Sequence, residues 1–177
     1  MNVMVERTSD GEFHSILNDF DLAGCTDKVP NNGHSSLHHT GTLPFMAVEL
    51  LTDNLVVHPF QHDLKSYFYI LVWISAHYDE GGQDSFQDVL SSWHTGSLEI
   101  VRGIKADFVA QPSELCNLPL TDFYKPLKTT WLEPLCTIIH LIHRTWRDNM
   151  HTNLPQQPIK SDTELYSEFS EVLFNLP

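Results

Sequence analysis

The 177-residue sequence predicts a mainly α fold with a small β-hairpin at its N-terminus. Three observations predict it. After Ser66 the chain runs Tyr67, Phe68, Tyr69, Ile70, Leu71, Val72, Trp73, Ile74, apolar on every face, the pattern of a helix buried at the centre of a domain. Further on, apolar residues recur at spacings of three and four, the period of a helix with one buried face. Only near the N-terminus do short runs of β-formers appear, around Phe13 and Ile16.

Composition sets the class. Apolar residues are 41% of the chain, enough to build a core, and the length suits one ordinary domain. Lys plus Arg number 10 against 23 Asp plus Glu, a formal charge of -13. That balance argues against a nucleic-acid partner, which needs clustered cations, and against docking on an anionic membrane. Cys25, Cys116 and Cys136 are too few for a disulfide framework, and no C-x-x-C occurs. There is no signal-peptide pattern and no apolar stretch of membrane-spanning length. An intracellular protein, cytoplasmic or nuclear, is expected.

In chain order, a strand is expected at about 13–18, paired with Met1–Val5 across the polar turn Glu6–Gly11. Gly24 to Gly41 is polar, with Pro30, Asn31, Asn32 and Gly33, and reads as a long loop. Pro44 to Leu51 reads as a short helix with Pro in its first turn. The central helix follows from Asp63 to Ile74, with Tyr67, Phe68, Leu71 and Trp73 expected to pack on its neighbours. Residues 84–93 and 97–110 read as two helices, the second with Leu98, Ile100, Val101, Ile104 and Phe108 as its apolar stripe. Pro112 to Pro119 reads as a linker. Leu127 to Trp146 is helical in period, with Pro134 marking a start or a kink. Last, Ser161-Asp162-Thr163-Glu164 is a capping box that launches a terminal helix bearing Leu165, Phe169, Val172, Leu173 and Leu176.

The eleven histidines form no metal-binding pattern. His62, His140 and His143 read as structural or incidental. The carboxylates say more. Leu17-Asn18-Asp19-Phe20-Asp21-Leu22-Ala23 sets Asp19 at a strand end before a long loop, a natural place for a hard-cation ligand. Then come Thr40-Gly41-Thr42-Leu43-Pro44-Phe45-Met46-Ala47-Val48-Glu49 and the helix opened by His62-Asp63-Leu64.

These three blocks resemble the second half of a protein kinase domain: the D-F-G metal site, the activation loop and A-P-E segment, and the central helix. Their wording is similar to the fungal-type protein kinase family, with its L-N-D-[WF]-D-L-A, T-G-T-x-x-F-M and D-L-E-S-F-F-Y-V-L-x-W-I stretches. Met1-Asn2-Val3-Met4 resembles the N-x-M stretch that follows the family's H-R-D catalytic loop. The resemblance implies the helical C-lobe of the kinase-like fold over residues 1–150, with a linker and C-terminal helix over 151–177. It is sharp from about residue 2 to 75 and diffuse beyond.

The resemblance also implies roles. Asn2 and Asp19 would ligate the Mg²⁺ that bridges ATP phosphates, with Phe20 and Asp21 completing the D-F-G-like triplet. Thr42 would mark Ser/Thr specificity beside the catalytic base. Glu49 would be the acid of the A-P-E segment, tied to Arg102, Arg144 or Arg147. Asp63 would cap the central helix. Asp21 stands where kinases carry Gly, which reduces backbone freedom. Val48 replaces Pro, and Lys65 replaces a Glu as a surface-type change.

Two functions compete. One is ATP-dependent, Mg²⁺-assisted phosphoryl transfer to Ser/Thr of a protein substrate. The other is a non-catalytic helical module or pseudokinase remnant. The 177 residues contain no H-R-D, no Gly-rich phosphate loop and no matching strand Lys, so no general base is assigned and the chain alone is expected to be inactive. An uncovered apolar face, where an N-lobe would sit, is then open to a partner.

Overall fold

In the computed structural model, residues 3–8, 10–11, 13–17, 42–51, 60–84, 88–150 and 160–174 are described. The chain divides into two compact units, Met1–His38 and His39–Pro177. In the first, β1 (Val3–Arg7) and β2 (Phe13–Leu17) pair antiparallel, with Val3 opposite Leu17 and Arg7 opposite Phe13. Gly11 adopts φ 91° in the connecting turn and its amide donates to the Thr8 carbonyl, a backbone geometry that favours glycine. The expected pairing partner, Met1–Val5, is thus shifted toward Arg7. The 24–41 loop lies outside the described residues.

The second unit is helical. Its axis is α1 (Phe60–His77), on which Phe68, Tyr69, Val72 and Ala76 are buried. An apolar helix of this kind gains its stability from packing on all sides rather than from propensity. Asp63 lies in its first turn, where a carboxylate matches the positive end of the helix dipole, and the His77 ring in its last turn is hydrogen-bonded to the Trp73 carbonyl at 2.9 Å. Tyr67, expected in the core, is 43% exposed. Leu71 and Trp73 are only partly buried, while Phe68 is fully enclosed. With eighteen residues α1 makes five turns, and the outermost strip is left for solvent.

Three loops or helices differ from the sequence reading. Pro44–Leu51 is not one helix but two 3₁₀ turns, Leu43–Phe45 and Val48–Leu50, separated by extended Met46 and Ala47. The carbonyls of Pro44 and Met46 accept from Lys105, which takes them away from helical amides. In the region expected as a helix over 84–93, residues 85–87 lie outside the described set. Tyr78 and Asp84 form a β-bridge, and among the described residues 88–93 the helical segment is a 3₁₀ turn, Ser91–Trp93. That three-residue turn buries Leu90 and Trp93 on the same side. Conversely the expected linker at 112–119 contains a short helix, α3 (Pro112–Asn117), because Pro at the first position starts a helix without losing a needed amide.

Between them, α2 (Leu98–Ala110) is capped by Ser97, whose hydroxyl accepts from the Ile100 amide at 3.4 Å. Val101, Lys105, Phe108 and Val109 form its buried stripe, and Leu98 and Ile100, expected there, are exposed on the first turn. Before Pro134 the chain widens into a π segment, Lys128–Leu132, and α4 (Glu133–Met150) follows. A proline ring collides with the carbonyl four residues back in a regular helix, and the wider turn accommodates it. Leu135, Cys136, Ile139, Ile142 and His143 make the buried face of α4. The Ser161–Glu164 capping box is formed in both directions: the Ser161 amide donates to Glu164 Oε2 at 2.7 Å and the Glu164 amide to Ser161 Oγ at 3.3 Å. It starts α5 (Asp162–Phe174), which buries Leu165 and Phe169. The helices α4 and α5 both pack on α1, and α2 packs on α4. Among the described residues no helix is long and apolar enough to cross a membrane.

Phe68 and Tyr67 are neighbours in sequence with opposite burial. Urea unfolding of Phe68→Ala is expected to show a loss of about 3–5 kcal/mol, and of Tyr67→Ala less than about 1 kcal/mol. Equal losses would mean that α1 is turned differently.

Candidate functional site

The region of densest chemistry lies where the 43–51 segment meets α1. Glu49, in the second 3₁₀ turn, has a side chain with no solvent exposure. A buried carboxylate needs a cation and hydrogen bonds, and Glu49 finds Lys65. The Lys65 ammonium, itself 1% exposed, donates to Glu49 Oε1. Around this pair stand two imidazoles: His62 Nε2 lies 4.0 Å from Glu49 Oε2, and His143 Nδ1 lies 3.8 Å from Oε1. His62 and Lys65 are three apart on α1 and so share a face; His143 arrives from α4. Glu49 Oε2 and His143 Nδ1 make no hydrogen bond among the described residues.

A second buried lysine anchors the other end of the segment. Lys105 of α2 is fully enclosed. Its ammonium donates to the Pro44 carbonyl at 2.8 Å and to the Met46 carbonyl. It also lies 3.9 Å from the centroid of the Tyr69 ring and 5.3 Å from that of Trp93. Trp93 meets Tyr69 and Phe108 edge-on, at 5.3 and 5.1 Å, so the aromatic wall is itself packed. The cation is thus held by two carbonyl dipoles and two ring faces.

Electrostatics follows the geometry. Burial would raise the Glu49 carboxyl, but the His143 ring and the Lys65 ammonium outweigh it and lower the group to about 2. Burial pulls Lys65 below the usual lysine range, and the Glu49 charge opposes that pull. Lys105 is lowered further, to about 7, by burial that the more distant Glu49 only partly offsets.

The sequence-derived residues fare unequally. Thr42 is exposed at the entry to the first 3₁₀ turn, where its carbonyl accepts from the Phe45 amide at 2.8 Å. Asp63 is exposed in the first turn of α1. Asn2, Asp19, Phe20 and Asp21 lie outside the described residues. None of the three candidate arginines is the partner that Glu49 takes. Arg102 sits 6.0 Å over the Trp146 ring, Arg144 pairs with Asp148 at 3.8 Å, and Arg147 is exposed. Lys65, read as a surface change, takes their place inside. The signal was present: Lys65 is the one Lys or Arg in α1, and an apolar helix rarely buries a charge without a partner.

Residues 1–75 match the fungal protein kinase family. No curated protein and no solved structure matches the chain. The fungal protein kinase match takes in Glu49, His62 and Lys65, whereas Lys105 and His143 lie beyond it. The buried cluster therefore joins the matched segment to the unmatched helices.

Two pH effects are expected. The Glu49 carboxyl is lower when folded than its ordinary value of 4.5, so its contribution is present above that pH and is lost as pH falls toward about 2. The loss is on the order of 3 kcal/mol, and Glu49→Gln should remove this pH dependence from urea melts. Lys105 runs on the alkaline side. The unfolded chain holds its proton up to about 10.5 while the folded one releases it near 7, so stability should rise between those values, and Lys105→Met should flatten the rise. Breaking the pair with Lys65→Met alone is expected to cost about 3–5 kcal/mol, more than the double variant with Glu49→Leu.

Proposed function

We propose that this chain supplies the substrate-side helical lobe of an ATP- and Mg²⁺-dependent protein kinase that phosphorylates Ser or Thr in protein substrates. The observation that carries the reading is the burial of Glu49 at the end of Thr-Gly-Thr-Leu-Pro-Phe-Met-Ala-Val-Glu, in a chain whose first 75 residues match the fungal protein kinases. Phosphoryl transfer depends on positioning and charge stabilisation rather than on covalent chemistry by the protein. Anchoring this segment to α1 and α2 through Lys65 and Lys105 fixes the surface on which a substrate hydroxyl would be presented.

In this reading Asn2 and Asp19 hold the cation. An amide oxygen and a carboxylate are hard donors that suit Mg²⁺; in sequence Asn2 precedes Val3 and Asp19 follows Leu17 by two residues, and Val3 and Leu17 are a pair of the β1–β2 register. When bound, the ion neutralises charge on the transferring phosphate. Thr42 lends its hydroxyl beside the substrate's own, and Asp63 steadies the start of α1. A second reading, a non-catalytic helical module, is favoured by the composition of the polypeptide itself, which contains no H-R-D and no G-x-G-x-x-G.

A transfer assay with radiolabelled ATP and a Ser/Thr/Tyr peptide library separates the two. The 177-residue chain alone is expected to transfer nothing. A chimera with the Gly-rich lobe and H-R-D loop of a fungal-family kinase joined ahead of Asn2 should phosphorylate Ser or Thr, and should lose at least about 100-fold with Asp19→Ala. A folded chimera that transfers nothing, or only to Tyr, would count against the kinase reading.

A further inference from the structure

On the helical unit, α2, α3 and the Ser91–Trp93 turn enclose a groove of about 480 Å³. Half-buried Val89, Ile104 and Leu118 line its apolar part above the buried Leu90, Trp93 and Phe108, and Pro119 also lines it. Asp107 and Glu114 also line it, both exposed, and among the described residues no Lys or Arg does. Past Leu118 and Pro119 a wider groove of about 1110 Å³ continues, bordered by Asp79 and Glu80. Its two lysines are already engaged: Lys125 pairs with Asp122, and Lys128 donates to the Cys116 carbonyl at 2.6 Å. The path therefore joins apolar walls to carboxylates that have no lysine or arginine partner among its lining residues.

We infer that this groove docks a peptide segment of a partner protein in which basic side chains alternate with apolar ones. The occupant follows from complementarity. Apolar side chains would cover Val89 and Ile104, while Lys or Arg stems lie along the walls and carry their charges to Asp107 and Glu114. An acidic peptide or a nucleic acid would meet like charge, both at the rim and in the field of a chain with net charge -13. The extended peptide reads the groove by two features at once, which neither a purely apolar nor a purely basic ligand supplies. Docking needs no nucleotide and no catalytic loop, so it stands or falls apart from the kinase reading.

The test is fluorescence anisotropy on the full 177-residue chain. The probe is a labelled peptide of roughly ten residues that alternates lysine and leucine, with alternating glutamate–leucine and lysine–glycine peptides as controls. The lysine–leucine peptide should bind, and the controls at least about tenfold more weakly. Asp107→Lys with Glu114→Lys should weaken binding about tenfold or more, and Ile104→Asp likewise. Glu171→Lys on the exposed side of α5 changes net charge equally per site and should leave affinity within about twofold. Circular dichroism confirms that each variant is folded. Binding that survives the groove variants, falls as much with Glu171→Lys, is matched by the lysine–glycine peptide, or is absent from the start would overturn the proposal. Should Ile104→Asp prove unfolded, the exposed pair Asp107 and Glu114 decides the matter alone.

Discussion

A carboxylate with no access to water organises the helical unit. Glu49 is in a segment of 3₁₀ turns that has little regular structure of its own, and such a segment needs outside tethers. The tether from Lys65 is an ion pair in a low-dielectric setting, where geometry matters more than in solvent. Once Glu49 is fixed, Val48, Leu50 and Leu51 are carried into the apolar interior with it. A buried pair of this kind says little about net stability, since an apolar pair of equal volume can do as well. What it supplies is selectivity: any other placement of the segment leaves two charges unpaired.

The second lysine makes the arrangement two-ended. Lys65 and Lys105 come from different helices, and they grip the same 43–51 segment at side chain and at backbone respectively. Among the described residues Lys105 has no carboxylate at hydrogen-bond distance, only carbonyls and rings, and its lowered affinity for a proton reflects that weaker compensation. The two lysines are thus not equivalent. One is held as a charge by a charge, the other is held as a donor by dipoles.

Much of this was open to reading and some was not. The all-round apolarity of 67–74 gave away the central helix, and the capping box at Ser161 marked the last one to the residue, because both signals are local. Pro44 to Leu51 reads as a helix from local sequence but forms two 3₁₀ turns, because its carbonyls are taken by Lys105, more than fifty residues away. Pro112 to Pro119 reads as a linker, yet Pro112 occupies the first position of α3, where its missing amide costs nothing. The resemblance points to an arginine as the partner of Glu49, whereas Lys65, the cation inside a largely apolar helix, is the stronger physical clue. His62 and His143 were set aside for want of a metal pattern, yet both face that carboxylate, a proximity created only when α1 and α4 pack.

The widened turn at Lys128–Leu132 bears on how this architecture can change length. A π turn holds one more residue than the α turn it replaces, and one residue in an α-helix corresponds to a rotation of about 100°. Upstream, Thr121 is fastened to the carbonyls of Ser75 and Tyr78 at the end of α1. Downstream, Leu135, Ile139 and His143 must face inward. The extra residue therefore sets the phase between two anchored stretches. Deleting a single residue there would straighten the helix and at the same time swing its inner face by more than a quarter turn, so this short stretch resists loss of length in a way that an exposed loop does not.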